Sequence, residues 1–180
     1  MKNILKYIFI PVVGVLASCN YDFPVEDIQE PTAGTADFTS MIVIGDGIAA
    51  GFIDGALYNR GQGNSFAVHL AEQMKLINGG DFNLPSINSA NGFYAIGPGN
   101  VVLGRLILKT VTGTTAPAPI GPGDIPAPFP GNKAELNNFS VPNMTLGVSL
   151  VPQAGGPNVP QNPAFNPLYA RIASNPGTST

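Results

Sequence analysis

Apolar and polar positions mark a few regular segments along this chain, separated by long stretches with no period. Residues 7–16 are an apolar run of ten, preceded by Lys2 and Lys6. Residues 20–37 are polar and acidic, with Pro24 and Pro31 set among Asp22, Glu26, Asp27, Glu30 and Asp37. Residues 38–44 (FTSMIVI) are β-branched and almost continuously apolar, the pattern of a strand buried on both faces. A Gly-rich turn over 45–51 ends it, and residues 55–63 read as another loop. Asn64 or Ser65 then caps a predicted helix to about Ile77, in which Phe66, Leu70, Met74 and Ile77 form one apolar stripe. Asn78-Gly79-Gly80 stops it. Strand, turn and helix in that order predict the opening of an α/β unit.

Residues 101–111 (VVLGRLILKTV) predict a second strand. The six prolines of residues 112–131 bar that stretch from a central strand, so it reads as a loop. Residues 138–142 (NFSVP) are a short strand candidate and residues 144–151 a helical turn. Residues 152–167 are loop again, with Pro167 suited to open a helix through Ala173. No internal repeat is visible.

Composition sharpens this picture in three ways. A length of 180 residues suits one domain, yet 22 glycines and 18 prolines make much of the backbone loop. The ten-residue run near the start is too short for a spanning helix, which needs roughly 20 apolar residues, and fits the core of a secretory signal. Leu16-Ala17-Ser18-Cys19, which holds the single cysteine, resembles the lipobox of bacterial lipoproteins. An ordinary secretory signal with a chance cysteine is the alternative. The resemblance implies cleavage before Cys19 and acylation of its thiol and amine, which anchors the chain to a membrane without spanning it. Residues 1–18 are then a signal peptide. Residues 19–37 are the lipidated cysteine and a tether, the second half of which is equally suited to pack as an edge segment. Residues 38–180 are the domain, expected at the cell envelope and, from the resemblance, on the outer membrane. Removal of residues 1–18 leaves six basic against eleven acidic side chains, a balance of −5, with no electrostatic footprint for nucleic acid.

Candidate chemistry gathers at the end of the first predicted strand. Gly45-Asp46-Gly47-Ile48-Ala49-Ala50-Gly51-Phe52 resembles the first conserved block of the GDSL (SGNH) ester hydrolases. Asp54-Gly55-Ala56-Leu57-Tyr58 and Gly61-Gln62-Gly63-Asn64-Ser65-Phe66 are similar to the region that follows it in surface lipoproteins of this family from Bacteroidetes-type bacteria. Leu136-Asn137-Asn138-Phe139-Ser140-Val141-Pro142-Asn143 resembles the second block. Asn166-Pro167-Leu168-Tyr169-Ala170-Arg171 and Pro176-Gly177-Thr178-Ser179-Thr180 resemble the stretch before the third. The likeness covers about residues 38–180.

That resemblance implies an α/β fold, the N-terminal part of a three-layer α/β/α, flavodoxin-like parallel sheet with long Pro/Gly-rich loops. It also implies a serine nucleophile after the first strand, a base supplied by a late D-x-x-H, and oxyanion donors from the serine backbone, a second-block glycine and a third-block asparagine. Here the nucleophile slot is Gly47, which has no hydroxyl, and the second-block glycine slot is Asn143. The third and fifth blocks are expected beyond Thr180. The implied protein is a lipid-anchored, hydrolase-like chain that is inactive or incomplete as it stands. The alternative is a non-catalytic surface lipoprotein that binds a glycan, an acyl ligand or a partner protein.

No other residue supplies the missing chemistry. Asp46 is expected to fix the turn through its own backbone hydrogen bonds, Ser65 to cap its helix, and His69, three residues before Glu72, to be a solvated helix side chain. Tyr58, Phe93 and Tyr94 flank Gly-rich loops and suit packing or stacking on a ligand. No His/Cys/Asp group has metal-ligand spacing, and no cofactor motif is present.

Overall fold

The computed structural model describes residues 30–159 and 161–173. The expected signal peptide, Cys19 and the tether as far as residue 29 therefore lie outside the described residues. The account below concerns the unit that begins at Thr32.

Its elements are short because glycine and proline interrupt the chain so often. Helix α1 (Gly47–Ala50) leads to the two-residue strands β1 (Phe52–Ile53) and β2 (Ala56–Leu57), then to α2 (Asn59–Gly63) and α3 (Phe66–Lys75). Strands β3 (Ala95–Ile96), β4 (Val102–Leu103), β5 (Leu106–Val111) and β6 (Thr114–Pro119) follow. The helices α4 (Leu146–Ser149) and α5 (Pro167–Ala170) close the order, and 3₁₀ turns lie at Pro98–Asn100, Lys133–Glu135 and Pro152–Gly155. The strands form three two-stranded antiparallel sheets, each between neighbours in sequence.

This overturns the expected parallel α/β/α sheet. A strand of a parallel sheet is covered on both faces. Residues 38–44 do not meet that condition: Ile42 is 62% exposed and Ile44 82% exposed. They make one parallel bridge, Val43 to Asn138, in which Val43 N–H donates to Asn137 O at 2.8 Å and Phe139 N–H donates to Val43 O at 2.8 Å. The second expected strand splits into β4 and β5, and each pairs with a local antiparallel partner instead.

The proline-rich stretch is also corrected, since part of it is strand β6. The turn Thr112-Gly113, with φ of 48° and 81°, pairs Val111 with Thr114 and continues the register to Leu106 with Pro119. Alternation from a two-residue turn places Pro117 and Pro119 at positions whose N–H would face away from β5. Their missing donors therefore cost the ladder nothing.

Helix α3 starts where its cap predicts, because Ser65 Oγ accepts from Val68 N at 3.4 Å. Its apolar stripe, however, does not face inward. Phe66 and Leu70 are 52% and 43% exposed, and the residues it buries are Ala67 and Ala71. Small side chains suit the approach of α1, which lies against it and buries Ala49 and Ala50. The hydrophobic centre is Ala50, Leu57, Val141 and Leu168, with Phe52, Ile87, Met144, Tyr169 and Ile172 packed on it. It joins α1, β2, residues 141–144 and α5, and so holds together segments distant in sequence.

Candidate functional site

Residues 45–52 and 138–145 meet because of a polar framework. Asn138, only 2% exposed, donates from Nδ2 to Ala49 O at 2.9 Å, and its Oδ1 accepts from Ser140 N at 2.9 Å. Val141 N–H donates to Gly45 O at 3.0 Å. Asn137 Nδ2 donates to Met41 O at 3.1 Å. From the other side, Asn166 Nδ2 donates to Pro142 O at 3.0 Å, while its Oδ1 accepts from Leu168 N and Tyr169 N as the cap of α5. Three asparagines thus set the 138–143 segment between α1 and α5. Each is a neutral donor–acceptor whose bonds to backbone replace those that a ladder would have given.

The result is an open cleft of about 460 Å³ lined by Asp46, Gly47, Ile48, Phe52, Pro142, Asn143, Met144 and Thr145. It brings together the three domain positions named from the sequence, Asp46, Gly47 and Asn143. Asp46 acts as expected, its Oδ1 accepting from Ile48 N at 3.2 Å to cap α1. Asn143 has φ of 60°, the left-handed region that glycine enters freely and asparagine tolerates better than most residues. Asparagine therefore suits this backbone, and it adds an amide side chain at the cleft. Neither the Gly47 nor the Asn143 backbone N–H donates to another described residue.

Gly47 is fitted by its surroundings. A Cβ built there would sit 3.2 Å from Phe52 Cβ, so a serine needs Phe52 to give by a few tenths of an ångström. The cleft offers no hydroxyl nucleophile at this position, and the acidic group beside it is already engaged in capping.

The remaining candidates are ordinary structural residues. Ser65 is buried and caps α3. His69 Nδ1 lies 3.2 Å from Glu72 Oε2 with both side chains more than half exposed, a solvated pair of little energetic consequence. Tyr58 is 3% exposed, donates from its hydroxyl to Asp54 Oδ2 at 2.6 Å and lies under the Arg105 guanidinium, 5.1 Å from the ring centre. Burial, reinforced by the Asp54 carboxylate, raises its phenol above the usual 10.0. Phe93 and Tyr94 line a neighbouring cavity of about 300 Å³ that shares Phe52 and Asn143 with the cleft. Among the described residues no group of three His, Cys, Asp or Glu is placed to hold a metal, and no helix is long and apolar enough to cross a membrane.

Sequence reasoning passed over Arg171. It is 3% exposed and donates from Nε to Ala127 O at 2.9 Å, from Nη1 to Pro85 O at 3.2 Å and from Nη2 to Ser86 O at 2.7 Å. Every acceptor is a carbonyl of a distant loop, and such contacts leave no spacing signal in a sequence. Gln62 was likewise missed: its Nε2 also donates to Pro85 O, at 3.2 Å, and its Oε1 accepts from Ile87 N at 2.8 Å. No protein-family model, curated protein or solved structure matches this chain.

Proposed function

We propose that this chain is a lipid-anchored protein of the cell envelope, similar in its motifs to GDSL hydrolases, that holds an ester or acyl ligand without cleaving it. The observation that supports this is the shared cleft: Gly47 and Asn143, far apart in sequence, border one opening with Phe52 and Met144 as its apolar wall. Both are the slots that the motif likeness marks for ester chemistry. The carbonyl of a ligand would lie near Gly47 and Asn143, and its apolar part against Phe52 and Met144. Acyl transfer needs an activated nucleophile, and glycine at position 47 removes it while leaving room at the cleft for the ligand.

The test is an amide chemical-shift titration of the purified chain with ethyl butyrate, alongside an assay of the same ester for turnover. The expected result is progressive shifts at Gly47, Ile48, Asn143 and Met144 with the ester recovered intact. Hydrolysis above the buffer rate would overturn the non-catalytic reading. An absence of shifts at these residues up to millimolar ester would overturn the binding site itself.

A further inference from the structure

Residues 41–45 are paired along one edge and bare along the other. Val43 bonds through its N–H and C=O to Asn137 and Phe139, and the Gly45 carbonyl accepts from Val141 on the same side. Backbone groups alternate in direction along an extended strand, so those of Ile42 and Ile44 face the opposite edge. Among the described residues they meet no other backbone group there. Both side chains are exposed as well, so this edge offers unpaired main chain together with apolar surface. Exposed edges in native proteins are blunted by charge or by proline. Strand β6 has that protection, with the nitrogens of Pro117 and Pro119 turned away from β5. Residues 38–45 hold no charged side chain and no proline.

Such an edge accepts another extended strand, and the order of its residues says which one. Ile42-Val43-Ile44 reads alike in both directions. Antiparallel pairing about a two-fold axis at Val43 sets Ile42 across from Ile44 of a second copy, and Ile44 across from that copy's Ile42. Each opposed pair exchanges both its N–H···O bonds, so the outward groups of both residues are satisfied in both copies. Isoleucine then meets isoleucine on the exposed face, and the two Val43 side chains meet on the other. The same register places Asp46 across from Ser40 rather than from another acid. A foreign strand would have to match this pattern, whereas a second copy brings it by symmetry.

We infer that the chain pairs with a second copy of itself through the edge at Ile42–Ile44. So short a contact is well below the area of a stable interface, and the dimer is a weak one, with a dissociation constant in the micromolar to millimolar range. This contact does not rest on the reading given for the Gly47 cleft.

The experiment is sedimentation equilibrium of the full chain from about 10 μM to about 1 mM, with amide hydrogen exchange measured at both ends of that range. The dimer fraction is expected to rise with concentration and exchange at Ile42 and Ile44 to slow with it, while Val43 is protected throughout. A monomer over the whole range would overturn the proposal. Protection of Ile42 and Ile44 that ignores concentration would also overturn it, because the chain's own residues would then cover the edge. Two double variants test the register. Ile42→Lys with Ile44→Lys sets like charges across from each other and is expected to weaken the dimer about tenfold or more. Ile42→Lys with Ile44→Glu sets opposite charges across from each other in the antiparallel register, and is expected to pair about tenfold tighter than the double-lysine variant. Unchanged amide signals at Val43 and Asn138 show that each variant keeps the fold. Equal dissociation constants for the two variants would overturn the antiparallel pairing. An undiminished dimer in the double-lysine variant would place the contact elsewhere and overturn the assignment.

Discussion

At the scale of single residues, the polar side chains that matter most are buried ones tied to backbone. Tyr58 gives a prediction with a defined sign. Its phenol is buried against Asp54 and Arg105, and burial with the neighbouring carboxylate raises its pKa in the fold. A raised folded value means that the unfolded chain loses its proton first. The stabilisation is then full below pH 10.0, the ordinary value, and declines as pH rises through the folded pKa. The melting temperature is expected to fall on going from pH 9 to pH 11, and to fall less steeply in Tyr58→Phe. Phenylalanine also leaves Asp54 without its donor, so the variant is expected to be less stable than the parent at pH 7, by about 1–3 kcal/mol. Parallel slopes for the two proteins in a pH series of thermal melts would show that Tyr58 does not titrate in the way this geometry requires.

At the scale of elements, backbone approach decides more than side-chain period. Gly51 ends α1 with φ of 78°, and a Cβ there would fall on the Gly61 carbonyl of α2. Gly51→Ala therefore meets both a strained backbone and a collision with main chain, and is expected to cost about 3 kcal/mol or more. Gly63, at the end of the same α2, has nothing within 4 Å of a built Cβ. Gly63→Ala is expected to be neutral or to stabilise by about 0.5–1 kcal/mol. Urea melts of the pair check the contrast, and comparable losses would show that the α1–α2 approach is not a constraint. The same distinction explains what was legible in the sequence. Helix α3 and the opening of α5 were, because Ser65 and Pro167 act within their own first turn. The strand at residues 38–44 was not, since its fate depends on neighbours, and among the described residues its one β-bridge is Val43 to Asn138. Strand β6 was hidden behind prolines whose compatibility follows from the Thr112-Gly113 turn register rather than from composition. Of the candidate site, Asp46, Gly47 and Asn143 were singled out in the sequence, whereas Met144 carried no motif at all and Phe52 entered only as the last residue of the first block, with no hint that it would wall the cleft.

At the scale of the whole molecule, the balance of buried and exposed apolar surface sets the expected behaviour in solution. The fully buried hydrophobic residues are largely alanines, with Leu57, Leu136, Val141 and Leu168 among the few larger ones. Ile44, Leu146, Leu150, Leu108 and Ile48 are all more than 70% exposed. Each large aliphatic side chain left in water forgoes about 1.5–3 kcal/mol of burial. The sheets cannot make up the difference, since three separate two-stranded sheets lack the shared face that gives a wider sheet independent stability. Unfolding is therefore expected to be broad, with a urea slope at or below about 1 kcal/mol per molar, the bottom of the range for small proteins. A solvatochromic hydrophobic dye is expected to bind in native buffer. A steep transition with no dye binding would mean that the isoleucine and leucine side chains now at the surface are covered in solution. In that case sedimentation would be expected to show a species heavier than one chain, with a second copy covering them.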